Sequence, residues 1–594
     1  MFDSFLPIAL TVPPKVTVSL KNTMNFAAAT RAILIASFCA LATACGSGSS
    51  GGGEASETET DSAPTVLPQS PEQTAETPSV TPQVALPELS SDGSMTLAAG
   101  EVITGSLLAT QEAIIRVPSG AEIILTSDTG DVDLFLITEP VFSNAALVCS
   151  GFSQFLEHNC SATVDDGELY ASVFAREDST FTLTATNDCS VPSVNEWVNR
   201  NMLDYYLYSD LVPNVNPALF NSPEELVREL RFNQLDPFSN VQDAATQEEF
   251  TETGGAFGFG FRSEFDGNGN LRVTRVYDDS PFGRAGIVRG DIIVSIEGVP
   301  VNELSDELAF ELLGDRDNPL EATWEVVRGA SGLTEFIPVT IGELTANTVI
   351  FSGTFSNPAF SGTVGYLVFE SFIRTSEQEL DAAIADLRDA GVTELVLDLR
   401  YNGGGLISIA NRLASQIAGP SIAGETLVRY EFNDKYTDVN FDFNALSASP
   451  SLDLDRVLVL TTAQTASASE LVINALQPFM EVVTFGQRTL GKPFISAPKL
   501  FCGKSLNAME AEGVNSIGVT VAGGVDADCF AADDLTRDYG NRSGSIEGML
   551  GSSLDYLLSG TCDASPTFAK RPDAKLPPFS DKLPMPSAVL DSRQ

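Results

Sequence analysis

Histidine is almost absent from this chain of 594 residues, which contains one, His158. Imidazole is the usual base for a serine or cysteine nucleophile and the commonest transition-metal ligand, so a Ser-His-Asp triad and a histidine-rich metal centre are both disfavoured. Basic residues are also scarce. Lys+Arg number 33 against 80 Asp+Glu, a formal net charge of −47. That balance repels nucleic acid and anionic lipid headgroups, and it reads most simply as a solubility device. No CxxC pair and no Cys/His cluster occurs among the eight cysteines, which argues against the common structural zinc sites. Neither a metal nor an organic cofactor is expected.

Long apolar runs are missing too. The longest stretch near the N-terminus, Ala32 to Ala42 after Arg31, is too short to span a bilayer as a mature helix. It reads as a targeting segment, and Met24 looks like its natural start. The run ends in Ala42-Thr43-Ala44-Cys45-Gly46, which resembles a bacterial lipobox, although Ala42 holds the place where Leu is usual. The resemblance implies lipidation at Cys45 and an exported lipoprotein, periplasmic or tethered at the outer membrane or cell surface. Residues 1–45 are therefore assigned to the leader. Residues 46–92 are Gly/Ser and then Thr/Pro/Glu rich, without Lys, Arg or aromatic residues, and are assigned to a disordered tether.

Setting aside Cys39 and Cys45, six cysteines remain. An even number suits three disulfides in an oxidising compartment. Proximity in sequence suggests Cys149–Cys160 and Cys502–Cys529, leaving Cys189 with Cys562.

Residues 93–187 carry short apolar or alternating runs between turn residues: Val102-Ile103, Ala113 to Val117, Glu122 to Thr126, Val132 to Ile137, Leu169 to Val173 and Thr180 to Thr184. This spacing predicts an antiparallel β-sandwich. Gly130-Asp131-Val132-Asp133-Leu134-Phe135-Leu136 with the following Cys pair resembles the bacterial pre-peptidase C-terminal (PPC) domain, which accompanies secreted peptidases. Asp131 and Asp133 read as solvated turn residues, and His158 as a surface-loop residue.

Residues 188–253 read as a helical connector, with a capping box at Ser193–Glu196 and, at Ser222, an N-cap followed by Pro223 and the acidic Glu224 and Glu225. Residues 254–343 then combine a glycine-rich apolar loop, Phe257-Gly258-Phe259-Gly260-Phe261, with Ser280-Pro281-Phe282-Gly283-Arg284-Ala285-Gly286-Ile287 and Gly290-Asp291-Ile292-Ile293. The combination closely resembles a PDZ domain. The resemblance implies that the loop from Phe257 to Phe261 holds the terminal carboxylate of a peptide added as a strand. Asp266 to Asn270 reads as a hairpin turn.

Residues 344–565 carry the chemistry. The strand Glu394 to Leu399 runs into Arg400-Tyr401-Asn402-Gly403-Gly404-Gly405 and then a helix, and the strand Val457 to Leu460 runs into Thr465-Ala466-Ser467-Ala468-Ser469-Glu470 and another helix. Ligands gather where α/β sheets make such turns. A third strand, Val482 to Phe485, leads to Gly486-Gln487-Arg488-Thr489-Leu490-Gly491-Lys492. These three blocks resemble those of the carboxyl-terminal processing, or tail-specific, peptidases. The resemblance implies an α/β peptidase core of the ClpP/crotonase-like kind, with Ser467 as nucleophile and Lys492, 25 residues later, as its base.

The residues permit that chemistry on their own terms. A serine hydroxyl needs a base, and lysine serves only if burial lowers its pKa from about 10.4 toward neutrality. Phe485, Leu490, Phe494 and Ile495 give Lys492 an apolar setting. The Ala468 N–H at a helix start, with Gly403 or Gly404, could form an oxyanion hole. Where the family often has a Gln to orient the lysine, this chain has Ser496, the candidate for that role. Ser467–Glu470 is also an ordinary capping-box pattern.

The expectation is thus a multidomain serine endopeptidase: β-sandwich, helical connector, PDZ domain, peptidase core and a Pro-rich tail over 566–594. It would act on exposed or C-terminal segments of exported proteins. The rival from another class is a non-catalytic surface binding protein on the same scaffold.

Overall fold

The computed structural model describes residues 95–562, apart from 141–145, 152–156, 163–166, 267, 356–359, 361, 446–448 and 536–547. The leader, Cys45, the tether 46–92 and the tail 566–594 lie outside the described residues. Among the described residues no helix is long and apolar enough to cross a membrane.

The first domain is two sheets facing one core. One sheet has the order Met95–Thr96, Glu112–Val117, Leu169–Ala175, Val132–Ile137, Leu147–Gly151. The other has the order Val102–Leu107, Ser179–Thr186, Glu122–Thr129, Glu157–Ser161. Ser179–Thr186 alternates buried and half-buried residues along its whole length, the period of a strand with one face inward. Its Phe181 and Leu183 share a core with Ile115, Leu134 and Val173 of the facing sheet. Met95–Thr96 pairs in parallel with Glu112–Val117, so the domain is not wholly antiparallel.

Two readings here need correction. His158 is not in a surface loop: it pairs opposite Leu125 within a strand and is 4% exposed. Burial pushes its imidazole down to about 4. Asp133 is not a solvated turn residue: it is buried and paired with Arg176 at 2.8 Å.

The connector consists of the helices Val191–Asp204, Pro223–Leu230 and Ala244–Thr253, with a strand, Asn240–Asp243. Ser222 caps its helix by accepting the Glu225 N–H at 3.1 Å. Ser193 does not cap, because its helix already begins at Val191. Trp197, Val198, Leu226 and Leu230 bury their side chains against Phe494, Phe501 and Leu506 of the last domain. Asn240–Asp243 pairs with Lys504–Asn507, which forms a hairpin with Lys499–Phe501.

Cys502, in the turn of that hairpin, bonds to Cys189. Cys529 bonds to Cys562, which follows the helix Gly548–Ser559 packed beneath the Cys529 strand. The expected pairs Cys502–Cys529 and Cys189–Cys562 are therefore wrong, because the hairpin carries Cys502 away from the core sheet to meet the connector. Cys160 is disulfide-bonded; its expected partner, Cys149, has a side chain outside the described set.

The next domain is a sheet ordered Phe261–Phe265, Leu271–Val276, Ile292–Ile296, Glu321–Val327, Thr334–Thr340. Phe259, Phe282 and Trp324 form the centre of its core, with ring centroids 4.8 Å apart for both phenylalanines against the tryptophan. Asp266 closes the first hairpin by accepting the Asn268 and Asn270 N–H groups.

The last domain is built on a six-stranded sheet in the order Val349–Phe355, Thr363–Phe369, Val392–Asp398, Arg456–Thr461, Glu481–Gly486, Cys529–Phe530. All neighbours are parallel except the first pair. The helices Ser376–Asp389, Ile407–Ala418 and Ala468–Leu476 cover one face, and Gly548–Ser559 covers the other. Sheets covered on both faces bury nearly every strand residue, as Leu395–Asp398 and Val457–Thr461 do here.

Candidate active site

Two chain turns meet beyond the carboxyl ends of adjacent strands. After Val392–Asp398 comes Arg400–Gly405, and after Arg456–Thr461 comes Thr462–Ser467. Arg400 anchors the first turn through a fully buried pair with Asp398 at 2.6 Å. Asn402 then ties the turns together. Its carbonyl accepts the Ala466 N–H at 3.0 Å and the Ser469 hydroxyl at 3.0 Å, and its amide donates to the Phe369 carbonyl at 3.0 Å.

These bonds separate the two serines of the block. Ser469 is buried and its hydroxyl is spent on Asn402. Ser467 stands at the helix N-terminus with φ +61° and ψ −117°, a conformation that costs energy for any residue with a Cβ. Ser467 is 3% exposed and lines a cleft. Ala468 opens the helix, where backbone N–H groups have no partner inside the helix.

Gly404 is held against this corner at φ +104°. A Cβ there would lie 2.8 Å from the Ala468 nitrogen and 2.8 Å from Ser467 Cβ. Its own N–H donates to Asn402 Oδ1 at 2.9 Å. That bond corrects the reading of Gly404 as an oxyanion donor: its part is to allow close approach. Gly403 and Ala468 remain as the donor candidates.

Lys492 reaches the corner from the third block. Glu470, fully buried, receives that block: its carboxylate accepts the N–H of Gly491 at 2.7 Å and of Lys492 at 2.8 Å, together with the Thr489 hydroxyl. The same carboxylate accepts the Ser467 N–H at 2.8 Å. Burial raises the Glu470 pKa against these bonds.

The Lys492 residue is only partly covered, because it borders the open cleft. Burial nevertheless lowers its amine to about 8, opposed by Asp236 and Glu470. Its Nζ lies 5.4 Å from the centre of the Phe238 ring. Ser467 and Lys492 line the same narrow cleft, whose apolar walls are Tyr430, Leu471, Phe494 and Ile495.

Sequence reasoning placed Phe494 and Ile495 correctly beside the lysine. Phe485 instead packs in the cluster that includes the helix Gly548–Ser559. It missed Asp236 and Phe238, which come from the connector. The sequence marks Asn402 only as part of a glycine turn, and Glu470 only as a cap. The capping-box pattern Ser467–Glu470 was the one signal that could have marked that carboxylate. Ser496 is buried next to the strand Phe494–Ile495.

In the domain before the core, the side chains of Phe259 and Phe261 point into the domain, where Phe261 stacks on Phe282 at 4.3 Å. Gly255–Gly258 pairs with Gly342–Thr345, and the Phe257 ring lies 5.6 Å from the Arg316 guanidinium. Gly260 sits at φ +70°, where a Cβ would strike Ser280.

Comparison with known proteins adds the family context. Residues 363–523 match the profile described as Peptidase family S41, residues 193–240 that of the Peptidase S41 N-terminal domain, and residues 272–323 that of a PDZ domain. A "Probable CtpA-like serine protease" of Staphylococcus epidermidis is 26% identical over 287 residues, 47% of this chain and 53% of that protein. Its namesake in Staphylococcus aureus is 26% identical over 306 residues, 51% of this chain and 56% of the relative. This chain spans about half the length of the curated relatives it matches. The solved structure of the photosystem II D1 C-terminal processing protease has 24% identity and a TM-score of 0.39, covering 57% of this chain and 92% of that one.

Proposed function

Because this chain belongs to peptidase family S41 and carries a PDZ domain, we propose that it is a serine endopeptidase of the carboxyl-terminal processing type, with Ser467 as nucleophile and Lys492 as base. The observation that carries the reading is that both residues line one cleft and hang their backbone N–H groups on one carboxylate, Glu470.

In this reading the neutral Lys492 amine takes the Ser467 proton as Oγ attacks the peptide carbonyl carbon. The oxyanion is met by the N–H groups of Ala468 and Gly403. Collapse breaks the C–N bond, and Lys492 returns its proton to the leaving amine. Water, deprotonated by the same amine, then hydrolyses the acyl ester. Asp236, Glu470 and Ser496 position the lysine. An apolar lining around it keeps its charged form disfavoured.

The loop Phe257–Phe261 is proposed to hold substrate chain ends. The N-terminal two-sheet domain is proposed to be a PPC-like accessory module, and Cys45 a lipid anchor outside the cytoplasm. The disulfides Cys189–Cys502 and Cys529–Cys562 support an oxidising compartment. The substrates are exported proteins or peptides with exposed or C-terminal segments.

The test is cleavage of an unfolded protein by wild type, Ser467→Ala and Lys492→Ala. Cleavage by the wild type alone is expected. Equal activity in all three would refute the dyad, and no activity in the wild type would favour a binding protein.

A further inference from the structure

In a chain with a net charge of −47, one buried guanidinium has no acid of its own. Arg275, on the PDZ-domain strand Leu271–Val276, is 5% exposed. Its Nε has no hydrogen-bond partner. Its contacts are a 3.7 Å ion pair with Glu370 and the Tyr277 ring, whose centre lies 5.2 Å from the guanidinium carbon. Glu370 is already bonded to Arg262 at 2.6 Å. Two buried arginines therefore share one buried carboxylate. Buried charges are ordinarily matched by a hydrogen-bonded counter-ion.

Arg275 lines a cavity of ≈ 560 Å³ where the PDZ domain meets the peptidase core, together with Tyr277, Asp278, Arg289, Asn347 and Val349. That volume lies in the range of small-ligand sites. Arg289 is neutralised there by Asp533 at 2.6 Å and donates to the Thr274 carbonyl at 2.9 Å. The unsatisfied donor thus belongs to Arg275, while Asp278 brings an exposed carboxylate to the same lining.

We propose that this cavity is a carboxylate-binding site, in which Arg275 takes the carboxylate of a peptide C-terminus or of a small free acid. A planar guanidinium matches a carboxylate in two parallel hydrogen bonds. The site is separate from the loop Phe257–Phe261, none of whose residues lines it, and it does not depend on the catalytic reading.

Calorimetric titration of the full chain carrying Ser467→Ala tests it. The probes are a six-residue peptide acid, the same peptide as its C-terminal amide, and succinate. Arg275→Gln should weaken the bound acid by about tenfold or more, the effect of losing a hydrogen bond to a charged group, and Arg275→Lys should retain part of the affinity. Val288→Glu, at an exposed lining residue, should weaken the same binding through charge repulsion without touching the core. Peptide acid bound more tightly than its amide points to a chain end as the ligand; Arg275-dependent binding of succinate alone points to a free acid. The proposal is overturned if Arg275→Gln and Val288→Glu, with unchanged thermal melts, bind both acids as the parent does, or if the parent binds neither.

Discussion

Glu470 Oε2 accepts the backbone N–H of Lys492 at 2.8 Å. The bond sets where the lysine leaves the chain, since the same oxygen also accepts the N–H of Ser467 at 2.8 Å. The separation of the proposed nucleophile and the proposed base is therefore governed through one buried carboxylate. Glu470→Gln turns one of its two acceptor oxygens into a donor facing those N–H groups. We expect kcat to fall by about 10²-fold, the scale of a roughly 1 Å misplacement, and stability to fall by about 1–3 kcal/mol from unsatisfied buried groups. Peptidase assays and denaturant melts on the variant check both.

The pH profile follows from the Lys492 amine. Its pKa is lowered to about 8 by burial, and only the neutral amine can accept the serine proton. The kcat/KM should rise with pH on a single ionisation near 8 and level off above it. A flat profile from pH 6 to 9, measured with a fluorogenic peptide, would contradict the assignment.

Gly404→Ala places a Cβ where the Ala468 nitrogen and Ser467 Cβ are each 2.8 Å away. The turn must retreat from the serine. Activity should fall by about 10²-fold or more, and a crystal structure of the variant should show Gly403 displaced from the helix N-terminus. Unchanged activity would mean that the glycine turn does not border the reacting carbonyl.

Cys189–Cys502 joins residues 313 apart in sequence. A cross-link over so long a loop stabilises by about 2–4 kcal/mol. The double variant Cys189→Ser, Cys502→Ser should melt at lower temperature than the parent. The loss should be felt first where the connector packs on Phe494 and Phe501, and hydrogen exchange would locate it there.

The legible parts of this protein are those set by neighbours in the chain. Apolar runs ending in turn residues placed six strands of the first domain, and the glycine and serine blocks placed both turns of the site. What was not legible depends on chain segments meeting from afar. Phe238 and Asp236 reach Lys492 from a connector that carried only helix signals, because Trp197 and Leu230 draw that connector onto Phe501 and Leu506. Cysteine pairing failed for the same reason: Cys502 is near Cys529 in sequence, but its hairpin points the other way. The strands Leu147–Gly151 and Glu157–Ser161 lack the alternating pattern that marks their neighbours, and with them the burial of His158 went unread. Glu470 was visible as a cap, but its grip on Gly491 and Lys492 was not.

The most direct measurement is the rate at which a fluorophosphonate probe labels the protein, followed by mass spectrometry across pH 6 to 10. It needs no knowledge of the natural substrate. The account predicts a single labelled residue, Ser467, a rate rising through an inflection near the Lys492 value of about 8, and loss of labelling in Lys492→Met. Labelling at another residue, or at Ser467 with the same rate and pH dependence in Lys492→Met, would contradict it.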